Sequence, residues 1–99
     1  MKFIATFVLP SLADAPVSEQ ASIARTIKLD LDRFSGGDYE LAFASDRCVS
    51  YLFTSAQPAS EMDFKIPRTV RMLVIDVGES FQHQEMDAAG RWLFRNRRR

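Results

Sequence analysis

The sequence predicts one small α+β domain built around a four-stranded antiparallel sheet. Three observations lead there. Four short stretches, near 2–9, 39–44, 49–54 and 70–77, are rich in aromatic and β-branched residues and alternate or are apolar on both parities. One longer stretch, 17–34, spaces its apolar residues by three and four. Proline or glycine punctuates most of the junctions between them. A chain of 99 residues leaves little room for a second independent core, so residues 1–99 are read as a single domain with a basic C-terminal segment, 85–99.

Residues 2–9 place Phe3, Ala5, Phe7 and Leu9 on one parity and Ile4, Thr6 and Val8 on the other. Apolar side chains on both faces predict a central strand, which Pro10 ends because proline cannot donate to a sheet ladder. From Val17 to Phe34 the residues Val17, Ala21, Ala24, Ile27, Leu31 and Phe34 make one helical stripe. Pro16 suits the first turn, Ser18 or Asp14 can cap it, Glu19 complements the dipole, and Gly36-Gly37 supplies a left-handed stop. Tyr39, Leu41 and Phe43, then Val49, Tyr51 and Phe53, alternate around Asp46-Arg47 and predict a β-hairpin. Its apolar face is expected against the helix, with Ala24, Ile27 and Leu31 meeting Phe7, Phe43 and Tyr51 or Phe53.

Between Pro58 and Pro67 there is room for about two helical turns, with Ser60 as cap and Glu61 to Lys65 as a helical pair, so a stunted helix or a loop is expected. Val70 to Val77 reads as a fourth strand, apolar on both parities and interrupted by Arg71 and Asp76. Residues 85–97 read as a helix with Met86, Ala89 and Leu93 on one face, although Gly90 sits awkwardly there and an edge strand at 91–95 competes. The order β-α-β-β-(short α)-β is that of the ferredoxin-like plait, in which strands one and three are central. The doubly apolar fourth strand is then an edge that a homodimer or the C-terminal segment must cover.

Within that order, Ser50-Tyr51-Leu52-Phe53-Thr54-Ser55, then Ala59-Ser60-Glu61, then Arg71-Met72-Leu73-Val74-Ile75 resemble the small CRISPR-associated endoribonuclease-like proteins and their virulence-associated protein D-like relatives. The resemblance covers about the middle half of the chain and rests on residue types. It implies a ferredoxin-like homodimer associated with nucleic acid. Enzymes of that group carry a metal-holding aspartate at the end of the first strand, where this chain has Val8-Leu9-Pro10, and Asp14 lies beyond the proline. No catalytic residue, metal ligand or cofactor site carries over, and the fold alone does not assign a function.

Thirteen basic and thirteen acidic residues cancel, but unevenly. Residues 91–99 hold five arginines and no acid, which leaves the other 90 residues with 8 basic and 13 acidic side chains, a net charge of −5. Cys48 is the single cysteine, which points to a reducing, cytoplasmic setting. The run from Met1 to Leu9 mimics a secretory leader, yet Pro10 cuts it at the minimum length for one, and nothing approaches the roughly 20 apolar residues of a membrane span.

The lone His83 supplies neither a triad nor a two-histidine zinc site and reads as a surface residue among glutamines. Cys48 beside Arg47 offers a thiolate in principle, but a strand cysteine more commonly packs as a small hydrophobe. Asp76, inside an apolar strand, must be paired, solvated or functional, with solvent or an arginine such as Arg71 or Arg68 as its expected surroundings. Asp30, Asp32 and Arg33 read as the solvated end of the helix. The strongest functional signal is the tail, where Arg91, Arg95, Arg97, Arg98 and Arg99 can meet phosphates and Trp92 and Phe94 can stack on bases. The expected function is a non-catalytic binding or assembly module, homodimeric, with nucleic acid as the first ligand class. A metal-dependent nuclease of the same fold and a regulatory protein that binds a protein partner at its edge strand are the alternatives.

Overall fold

Lys2–Val8 forms β1, Val17–Ser35 the helix α1, Tyr39–Ala44 and Cys48–Thr54 the hairpin β2–β3, Arg71–Asp76 the strand β4, and Asp87–Arg95 a second helix, α2. The structure is a computed structural model and describes residues 1–78 and 86–96. The architecture is α+β: a four-stranded, wholly antiparallel sheet in the order β2-β3-β1-β4, with two helices. β1 and β3 are interior, as two-sided apolarity foretold for β1. The crossover from β3 to β4, between Pro58 and Pro67, holds only a 3-10 turn at Ala59–Glu61 and is otherwise loop.

The two parities of β1 bury two separate cores. Phe3, Ala5 and Phe7 face α1 and pack with Ile23, Ile27, Leu31, Tyr51, Phe53 and Val70. Phe3 stacks on Phe53 with ring centroids 5.4 Å apart, and Phe64 closes the layer from below by meeting Phe7 at 5.8 Å and Phe34 at 4.9 Å. On the other face Ile4 joins Leu52, Ala42 and Val77 beneath α2, which presents Ala89, Trp92 and Leu93. The sheet is thus sandwiched between helices, and α2 sits over the β2 side.

Five expectations are corrected. The buried stripe of α1 is rotated from the expected one: Ile23, Ile27, Asp30 and Leu31 face inward, whereas Val17, Ala21 and Ala24 are exposed. Asp30 is not solvated but 2% exposed. Its Oδ1 accepts from Arg33 Nη2 at 2.8 Å and its Oδ2 from the Lys65 backbone N–H at 2.8 Å, so a buried charge is satisfied while it ties the helix to the loop before β4. Arg33 Nη2 also donates to the Asp63 carbonyl at 2.6 Å.

Phe43 does not meet α1. The pairing slips between Leu41/Tyr51 and Phe43/Ser50, so a bulge at Ala42 turns Phe43 onto the parity of Ser50 and Leu52. Finally, no side chain caps either helix N-terminus, and Lys65 pairs with Asp63 at 2.6 Å rather than with Glu61. The left-handed stop holds: Gly36 sits at φ 65 and its N–H donates to the Asp32 carbonyl.

Candidate functional site

The basic segment is a helix over 87–95, and helical geometry divides it. Steps of three and four bring Ala89, Trp92, Leu93 and Asn96 to the sheet, and leave Arg91, Phe94 and Arg95 outside. Gly90 is buried and continues the helix, its N–H donating to Met86 O at 2.9 Å. Trp92 is 1% exposed, so the ring expected to stack on a base is instead the centre of the second core. Its Nε1 has no hydrogen-bond partner among the described residues. The aromatic face that α2 offers to solvent is Phe94, 61% exposed. Arg97, Arg98 and Arg99, and also His83, lie outside the described residues.

At the opposite side of the sheet β4 has, among the described residues, one neighbour, β1, and an open outer edge. The phase of its backbone follows from three hydrogen bonds. Val77 N–H donates to Lys2 O at 2.9 Å, while Ser55 N–H donates to Met1 O and Leu9 N–H to Arg47 O. Even residues of β1 therefore bond to β4 and odd ones to β3. With Ile4 opposite Ile75, Thr6 opposite Leu73 and Val8 opposite Arg71, those β4 residues turn their N–H and C=O inward. Met72, Val74 and Asp76 aim theirs outward, toward no partner strand among the described residues.

The side chains repeat this openness. Val74, and to a lesser extent Met72, lies on the α1 side, but Leu73 and Ile75 stand on the α2 side, where no helix among the described residues covers them, and are 63% and 50% exposed. The contacts of α2 fall on β2, so the C-terminal helix does not provide the expected shield for β4. Asp76 is exposed at the end of this strand, as expected of an unburied carboxylate. No protein-family model, curated protein or solved structure matches this chain.

A third feature lies at the end of the sheet where β1 stops. Arg47 and Arg71 flank Val8 and, with Leu9, Pro10, Asp14 and Thr69, line a cleft of about 360 Å³. Arg47 Nε donates to Leu9 O at 3.1 Å, and Asp14 Oδ2 accepts from Ser11 Oγ at 2.9 Å. Cys48 is half-buried beside a smaller apolar hollow of about 170 Å³ that also touches Ile27 and Tyr51. Among the described residues no group of three histidine, cysteine or carboxylate side chains is placed to hold a metal ion. Nor, among them, is any helix long and apolar enough to cross a membrane.

Two shifted protonation equilibria accompany this frame. Burial, and secondarily Tyr39, raises the Tyr51 hydroxyl above its ordinary 10.0. The exposed Asp63 carboxyl is lowered by the hydrogen bond and charge of Lys65. Neither lies at the open strand, whose character is backbone and apolar surface.

Proposed function

We propose that this protein is a non-catalytic assembly module that works as a homodimer joined along β4. The observation that carries the reading is the edge itself: a six-residue strand whose Met72, Val74 and Asp76 turn their hydrogen-bonding groups outward, with no proline, no bulge and no lysine, and with Leu73 and Ile75 exposed. Strand edges of monomers are normally blunted by one of those devices, because an unblunted edge pairs with whatever strand it meets. The plait reading gives the same role to this strand. In that reading the second crossover helix has shrunk to the Ala59–Glu61 turn and a helix after β4 covers the far face. The resemblance to the virulence-associated protein D-like group also implies a dimer, although Val8-Leu9-Pro10 supplies no carboxylate for that group's nuclease chemistry.

Light scattering should give twice the chain mass for the full-length protein. Leu73→Lys with Ile75→Lys should give the single mass while the chain stays folded, with a melting temperature that no longer depends on concentration. A wild-type monomer at high concentration contradicts the reading.

Nucleic acid remains a second reading, favoured by Arg91 and Arg95 exposed one turn apart on α2 with Phe94 beside them. Five arginines neutralising four or five phosphates would give a log–log salt slope of about −4 on duplex DNA. Removal of 95–99 should flatten it. Absence of binding at about 0.15 M salt and micromolar protein, where non-specific binders are still detected, ends this reading.

A further inference from the structure

We infer that two copies pair β4 to β4 in antiparallel, two-fold register centred on Val74, which joins their sheets into one of eight strands. The inference rests on the homodimer reading and adds to it a specific alignment.

A two-fold axis that brings identical strands side by side in one sheet must stand perpendicular to that sheet. It therefore passes midway between two copies of the same residue and leaves each face of the sheet continuous. Only three centres, Leu73, Val74 and Ile75, keep most of β4 paired. With the axis at Val74, Met72 lies opposite Asp76 of the second copy and Val74 opposite Val74. All three are residues whose N–H and C=O point outward, so every outward group between them finds a partner. With the axis at Leu73, Asp76 would face Val70 of the second copy, whose N–H already donates to Pro67 O at 3.1 Å. With the axis at Ile75, Met72 would face Gly78, beyond the strand.

The side chains favour the same centre. Leu73 then lies opposite Ile75 of the second copy, and the reciprocal pair completes an apolar quartet on the α2 side. Leu73 and Ile75 are the most exposed apolar residues of β4. They form non-hydrogen-bonded pairs, the type in which cross-strand side chains approach most closely. The axis also sets the direction: rotation about a line perpendicular to the sheet reverses the strand, so the two copies of β4 run antiparallel. The second edge of the sheet is no rival, because the bulge at Ala42 interrupts β2. A six-residue ladder is a small interface, so the dimer should be concentration-dependent.

Disulfide trapping reads the register directly. Non-hydrogen-bonded partners have Cα atoms about 4.5 Å apart, within disulfide range, while residues displaced by one further pair are beyond about 7 Å. In a Cys48→Ser background, oxidised Leu73→Cys/Ile75→Cys chain should run as a covalent dimer on a non-reducing gel. Leu73→Cys alone and Ile75→Cys alone should each remain monomeric. Cross-linking by Leu73→Cys alone would move the axis to Leu73, and by Ile75→Cys alone to Ile75. Either result overturns this register and leaves the homodimer standing. A wild-type chain that sediments as a dimer while none of the three variants cross-links overturns β4 pairing. A wild-type monomer removes the homodimer reading itself. Should a cysteine variant fail to fold, unmodified chain decides: a mixture of labelled and unlabelled copies should show an intermolecular contact between the α protons of Leu73 and Ile75. Its absence in a dimer contradicts the alignment.

Discussion

The two edges of the sheet are treated in opposite ways. On the β2 side, a bulge at Ala42 breaks the ladder, and α2 lies across the face with Trp92 sealed beneath it. On the β4 side the ladder is regular to its end, and Leu73 and Ile75 stand in solvent. On the β2 side the ladder is interrupted and one face is covered by the chain's own residues, with Leu41 and Phe43 still 45% and 48% exposed. Among the described residues, the β4 edge has everything a strand needs except a neighbour. The difference teaches that exposure of apolar surface here is not a failure of packing, since the same small sheet completes a second core on its other side.

The largest expected effect breaks the closed side. Trp92→Ala removes the centre of the second core and should cost about 3–5 kcal/mol, seen as a lower urea midpoint. A loss below about 1 kcal/mol would mean that α2 is not seated as described.

Next is Asp30→Ala, which leaves the Lys65 N–H without its acceptor and frees the loop that leads into β4. A loss of about 1–3 kcal/mol is expected from an unsatisfied buried donor. The pH dependence separates this interior from the open edge. Tyr51 binds its proton more tightly folded than unfolded, so its contribution is complete below pH 10.0 and is lost as pH rises through the raised folded value. Urea midpoints should therefore fall as pH rises above 10.0, and Tyr51→Phe should lessen that fall. The smallest change in folding stability belongs to the open edge. Leu73→Lys with Ile75→Lys should move monomer stability by no more than about 0.5 kcal/mol while abolishing association. A large stability loss would place these side chains in a core and sink the comparison.

Much of this is legible in the sequence. Period-two runs locate β2 and β3, short runs apolar on both parities locate β1 and β4, and the three-and-four spacing locates α1, because these patterns follow from where side chains point. Less legible was which stripe of α1 turns inward. Residues 17–34 carry two adjacent candidates, and the buried one contains Asp30, a residue whose charge argued for solvent. Arg33 three residues later was the available signal, but the second partner, Lys65 N–H, comes from 35 residues away and has no local signature. The bulge at Ala42 was invisible because neither glycine nor proline marks it. In the tail, clustered arginines suggested a binding surface and drew Trp92 into it. Helical spacing from Ala89 and Leu93 already placed Trp92 on their face. The open edge was foreseen as needing a cover, whereas the location of α2 over β2 depends on tertiary packing that spacing does not encode.

Amide hydrogen exchange on unmodified protein, followed across a dilution series, tests the contrast between the edges most directly. Inward amides of Leu73 and Ile75 should be protected at every concentration. The outward amides of Met72, Val74 and Asp76 should gain protection as concentration rises, while the outward amide of Leu41 on β2 should exchange at one rate throughout. If Met72, Val74 and Asp76 exchange as fast in concentrated as in dilute protein, β4 has no partner copy and the account of this protein as an edge-joined homodimer is wrong.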